Sequence, residues 1–177
     1  MSDRTRCLLD KVTARRILEG LLKLAEGRGV NEEELIALDV FARGSSRDLR
    51  LFMIPSTDGV LRRLEDRPRY AAIIQLFLRR VEVAFPTRYF KRWARRLRDY
   101  GFTPEDAGVL ALATFGTDED ATILGIHVVA TFDQPMIQRW TAECTAIQAP
   151  LAAMQPGLPM PYRQSALPRV LPPDQVI

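Results

Sequence analysis

Short apolar runs alternate with longer amphipathic stretches along most of the chain, and each switch of period marks an element. Cys7-Leu8-Leu9 is a brief apolar run that reads as a first strand ending at Asp10. A helical pattern follows, with Ile17, Leu18, Leu21, Leu22 and Leu24 on one broad face, and Gly27 and Gly29 stop it. Asn31 is a good N-cap, and Glu32, Glu33 and Glu34 suit the positive end of a second helix that carries Leu35, Ile36, Leu38 and Phe41 and ends near Gly44. Leu49 to Ile54 reads as a second, mostly buried strand. Pro55-Ser56-Thr57 closes it before a short helix with Val60, Leu61 and Leu64. Pro68 separates that helix from another, Ala71 to Arg80.

The second half continues the alternation. Val81 to Phe85 reads as a third strand ended by Pro86, and Thr87 to Tyr100 as a helix with Tyr89, Phe90, Trp93, Ala94 and Leu97 on its apolar side. Gly101 ends it. Thr103-Pro104-Glu105-Asp106 is a dense helix-start signal: a capping hydroxyl, proline at the first position and acids in the first turn. The helix it opens, Glu105 to Thr114, is small and apolar on most sides. Ile126 to Thr131 is a fourth strand, and Asp133-Gln134-Pro135 opens a last short helix that includes Trp140. Strands alternating with helices predict an α/β fold of three layers, α/β/α, with a mostly parallel central sheet of about four to five strands.

From Pro150 onward the pattern breaks. Seven of the twelve prolines lie between Pro150 and Pro173, which argues against long regular structure there. The expected division is an α/β domain over residues 1–145 and a proline-rich tail over 146–177, extended and either lying on the domain or disordered.

Composition adds limits. The chain has 177 residues, one domain's worth, and is 47% apolar, enough for a real core. Its net charge is only +3, but twelve Lys or Arg stand against three acids between Arg62 and Arg98, a local excess that suits a polyanion or a set of solvated helix faces. Cys7 and Cys144 form no motif, Cys7 reads as a small core residue, and a reducing cytoplasm is the expected setting. No apolar run approaches the roughly 18 residues that span a bilayer, and the polar start, Met1 to Arg6, does not read as a signal peptide.

Three aspartates carry the candidate chemistry. Asp10 follows the first strand, Asp133 follows the fourth, and Asp106 begins a helix. Each has a structural explanation: Asp10 and Asp133 as caps of the helices they precede, Asp106 as the acid of a capping box with Thr103. In a parallel α/β sheet, however, strand C-terminal ends and helix N-termini share one edge, where ligands bind. Acids converging there repel one another and call for a proton or a cation. Two carboxylates ~4 Å apart repel by roughly 4 kcal/mol at an effective dielectric of 20. Hard oxygen ligands select Mg²⁺ or Mn²⁺.

Leu8-Leu9-Asp10 with its following amphipathic helix resembles the opening of a PIN domain. Phe102 to Ala113 resembles that family's Asp-Ala helix, and Val128-Val129-Ala130-Thr131-Phe132-Asp133 resembles its hydrophobic strand ending in Thr-x-Asp. The three blocks stand in family order at family spacing over roughly residues 5 to 140. The resemblance implies a three-layer α/β/α fold and, in active members, cleavage of RNA by a metal that Asp10, Asp106 and Asp133 would hold. It also implies an antitoxin-like protein partner, as many members have. A homodimer is a separate expectation, with the proline-rich tail able to dock along a second subunit. Two positions depart from the pattern. Val12 stands where the family has Asn, and the helix after the second strand has Arg62 or Arg63 where the family has Glu, with Asp58 or Glu65 as the only substitutes.

The remaining candidates are weaker. His127, the one histidine, lies inside a strand pattern with no Cys or His partner at metal spacing and reads as a structural or surface residue rather than a catalytic one. Arg62, Arg63, Arg88, Lys91, Arg92 and Arg95 are candidate phosphate contacts, whereas the rings of Tyr89, Phe90 and Trp93 fit the core. Asp118-Glu119-Asp120 reads as a solvated loop, with Asp118 or Asp120 able to reach the site edge. Two functions compete: a Mg²⁺- or Mn²⁺-dependent ribonuclease, or a weak or inactive PIN-like module that binds nucleic acid or a protein. A third reading makes the tail a docking segment.

Overall fold

The computed structural model describes residues 4–44 and 49–176. The polar start expected at Met1 to Arg6 therefore lies partly outside the described residues. Five parallel strands form the central sheet in the order β3-β2-β1-β6-β7: β1 Thr5–Leu9, β2 Leu49–Met53, β3 Val81–Val83, β6 Val128–Ala130 and β7 Arg169–Leu171. Two further short strands, β4 Phe85–Pro86 and β5 Gly116–Thr117, pair antiparallel beside it. The helices are α1 Lys11–Ala25, α2 Glu32–Arg43, α3 Pro55–Leu64, α4 Pro68–Leu78, α5 Phe90–Arg98, α6 Pro104–Phe115 and α7 Gln134–Met154. This is the three-layer α/β/α arrangement expected from the alternation of periods.

Strand alternation divides the core in two. Leu8 lies beside Phe52 and Val129 in register, and Val129 beside Val170. That row points into the cluster formed with α5, α6 and α7, which also holds Trp93, Leu97 and Leu110. The neighbouring positions, Cys7, Leu9, Leu51, Met53, Val128 and Ala130, point to the other side, against Ile17, Ala37, Phe41 and Phe77. A one-residue slip of β1 would turn both rows out of their layers, so the register is fixed by burial. Cys7 is the buried core residue its apolar run suggests, and burial pushes its thiol up to about 12. Among the described residues no helix is long and apolar enough to cross a membrane.

Three expectations need correction. The third strand stops at Val83, and the helix after it begins at Phe90 rather than Thr87, because Phe85 and Pro86 pair with Gly116 and Thr117 instead. The last helix is not short: α7 runs 21 residues and passes through Pro150. A helix-interior proline costs about 3 kcal/mol, and here buried Ile147 and Leu151 on either side anchor the helix through it. The division at residue 145 therefore falls inside α7.

Of the two alternatives for the proline-rich segment, the part beyond α7 takes the first and lies on the domain. It makes short 3₁₀ turns at Gln155–Gly157, Tyr162–Gln164 and Pro173–Gln175, and between the last two it supplies β7, the edge strand beside β6. Leu158, Val170 and Val176 are buried. The prolines flank the strand and leave its three ladder positions free.

Candidate functional site

Parallel strands that all point one way bring β1, β2 and β6 to a common C-terminal edge, and two of the three aspartates stand directly on it. Asp10 terminates β1 and caps α1: its Oδ1 accepts from the Thr13 amide at 2.7 Å. Its Oδ2 accepts from the Thr131 hydroxyl at 2.5 Å. Asp133 caps α7, its Oδ1 accepting from the Met136 amide at 3.0 Å. The Asp133 amide in turn donates to the Thr131 oxygen at 3.0 Å. Thr131, fully buried, therefore ties the two aspartates through one hydroxyl. Asp106 sits in the first turn of α6, its amide donating to the Thr103 hydroxyl oxygen at 3.1 Å.

The electrostatics link all three. Burial raises the Asp10 carboxyl above its ordinary range, the hydrogen bonds from Thr131 and Thr13 oppose this, and the charge of Asp133 adds to the rise. Burial raises Asp106 too, with Thr103 opposing it and the charges of Asp133 and Glu105 adding. Asp133 thus acts on both of the others. The capping roles and the shared edge are present together. Across the same edge Lys11 Nζ meets Glu105 Oε1 at 3.3 Å, joining α1 to α6.

Carboxylate oxygens have the donor chemistry of Mg²⁺ or Mn²⁺. Their spacing does not complete a site: among the described residues, no three His, Cys, Asp or Glu side chains are grouped so that they could hold a metal ion. The helix after β2 presents arginines at this end, and they pair within their own helix. Arg62 Nε lies 3.3 Å from Asp58 and its Nη1 3.7 Å from Glu65, while Arg63 donates to the Gly59 carbonyl at 3.2 Å. Arg62 therefore engages both Asp58 and Glu65, the acids at either end of this segment.

The cations of α5 behave differently. Lys91, Arg92 and Arg95 are exposed and make no ion pair among the described residues, and Arg88 lies over the rings of Tyr89 at 4.9 Å and Tyr162 at 5.5 Å. Trp93 is buried and donates from Nε1 to Thr114 at 3.2 Å, so its ring belongs to the core, as its helical phase implies.

Two features escaped the sequence. One is an open apolar groove of about 1000 Å³ beside the acidic edge, walled by Leu18 and Leu22 of α1, Leu61 of α3, Ile74 of α4, and Val109 and Leu112 of α6. The other is Asp118, expected to be solvated or at the site edge. It is buried and lies at the other end of the sheet, accepting from the Thr122 hydroxyl, from the Thr122 and Ile123 amides, and from Arg50 at 2.9 Å. His127 is exposed and engages Arg6. No protein-family model matches the chain, and no curated protein matches it.

Proposed function

We propose that this chain is a PIN-like domain that binds RNA through the free cations of α5, beside an acidic edge reduced from a full metal centre. The observation that carries this reading is the exposure of Lys91, Arg92 and Arg95 without a carboxylate partner among the described residues, with Arg88 held over two tyrosine rings nearby. Unpaired cations on one helix neutralise phosphates, and Arg88, held over the two tyrosine rings, adds a positioned guanidinium beside them. The three aspartates at one edge of a parallel three-layer sheet support the PIN-like assignment. The reading of binding over cleavage is supported by the lack of a metal-holding group of acids among the described residues and by the pairing of Arg62 with Asp58.

The test is fluorescence anisotropy with a labelled single-stranded RNA in EDTA over a range of salt. Replacing Lys91, Arg92 and Arg95 by Ala should weaken binding and flatten the plot of log K against log salt by about two, since each phosphate contact on a single strand contributes about 0.7 to the slope. Binding that ignores salt would refute the reading and point instead to a protein partner of the antitoxin kind, for which the apolar groove is the matching surface.

The second reading is a Mg²⁺- or Mn²⁺-dependent ribonuclease, favoured by the coupling of Asp133 to both Asp10 and Asp106. It requires divalent-dependent cleavage of RNA that disappears in Asp106→Asn.

A further inference from the structure

The strand ends opposite the acidic edge form a second pocket of different character, about 350 Å³ in volume and walled largely by Arg4, Arg50, Arg79, Arg80 and Glu82. Four arginines from three places in the chain line it: Arg4 ahead of β1, Arg50 in β2, and Arg79 and Arg80 just after α4. Among the described residues, only Arg50 of the four is neutralised. Glu82 grips its Nε and Nη2 at 2.6 Å each, and Asp118 takes Nη2 at 2.9 Å. Arg4, Arg79 and Arg80 have no carboxylate partner among the described residues. Arg80 is nonetheless held in place, its guanidinium stacked 5.2 Å over the Phe41 ring.

The end of a helix favours cations, which accounts for one arginine near α4. It does not account for the arrival of Arg4 from β1, or for a pocket between the groups. Like charges gathered around a concavity repel unless an anion sits among them. Guanidinium forks match the oxygens of a phosphate better than a single carboxylate can use them. A terminal phosphate, with a charge of about −1.5 to −2, offers three oxygens to the three unpaired forks.

We infer that the pocket between Arg4, Arg79 and Arg80 binds a terminal phosphate monoester, at a site separate from the acidic edge. The five residues of β1 place the two edges about 16 Å apart at 3.3 Å per residue, too far for one phosphate to serve both. The phosphate comes either from the end of an RNA strand or from a small phosphorylated metabolite. This inference stands independently of the RNA contacts proposed on α5.

The test uses the full chain and titrates it, by calorimetry, with inorganic phosphate, adenosine 5′-monophosphate and adenosine. The same RNA oligomer with a 5′-phosphate or a 5′-hydroxyl is measured in parallel. The expected result is that the monophosphate binds at least tenfold tighter than adenosine. Arg79→Ala and Arg80→Ala, both at exposed positions, should each remove most of that preference, while the Lys91, Arg92 and Arg95 alanine variant keeps it. Arg80→Lys, which retains charge without the fork, should recover only part. A preference for the 5′-phosphorylated oligomer identifies RNA ends as the source, and a preference confined to the mononucleotide identifies a metabolite. Equal binding of adenosine and its monophosphate, or a preference untouched by both arginine substitutions, overturns the inference.

Discussion

Replacing Asp118 by Asn tests how the loop before β6 is held. Asp118 is 4% exposed. Burial alone would push its carboxyl up, but the Thr122 hydroxyl, Arg50 and the Thr122 and Ile123 amides outweigh that and hold it down from 3.8 to about 2. A group lowered in the fold adds stability that is present above its unfolded value, near 3.8, and is lost as pH falls toward 2. Nearly two units correspond to about 2.5 kcal/mol at neutral pH. Solvent screening where the loop meets water reduces the expected loss in Asp118→Asn to roughly 1–2 kcal/mol. For a domain of this size that is a fall in Tm of roughly 3–8 °C. Urea unfolding of the wild type and the variant at pH 7, 4.5 and 3 measures it. The gap should be full at the first two values and narrow by the third. Equal stability at pH 7, or a gap that does not change with pH, would refute the reasoning.

Other substitutions probe the edge and the end of the chain. Asp10 is raised, the opposite sign, so its charge costs stability as pH rises through its folded value. Asp10→Asn keeps an oxygen for the Thr13 amide and should stabilise the protein at pH 7 relative to pH 4, as read by thermal melts; uniform destabilisation at both pH values would contradict this. Removing residues 166–177 deletes β7 and the buried Val170 and Val176, each worth roughly 1.5–3 kcal/mol of burial. The truncated chain should lose its cooperative unfolding transition in circular dichroism, and unchanged stability would show that the last strand is dispensable. Arg62→Ala breaks exposed pairs with Asp58 and Glu65 and should change stability by less than about 1 kcal/mol in urea melts.

Local signals in the sequence were enough to place most of the sheet. Leu8-Leu9-Asp10 carries both the strand and its stop, and Thr103-Pro104 marks the start of α6, which begins one residue ahead of the expected Glu105. The same signals placed the three aspartates at strand and helix ends, from which their common edge follows by topology. What stayed hidden depends on partners distant in the chain. β7 is three residues long between prolines, and only its ladder with β6 makes it a strand. Helix α7 survives Pro150 because Ile147 and Leu151 are buried, a fact of packing rather than propensity. Asp118 looked like one acid among three until Arg50, from the other half of the chain, reached it. The groove arises where α1, α3, α4 and α6 meet, and none of these helices announces it alone.

The proposed function rests on RNA binding by the cations of α5, with cleavage at the acidic edge as the competing reading. The most direct measurement incubates end-labelled single-stranded RNA with the protein in EDTA and, separately, in Mn²⁺, and reads both binding and strand length on gels. The expected result is RNA bound and intact in both, with binding lost when Lys91, Arg92 and Arg95 are replaced. Shortened RNA that appears only with Mn²⁺ and vanishes in Asp106→Asn would contradict it and establish the acidic edge as a working nuclease centre.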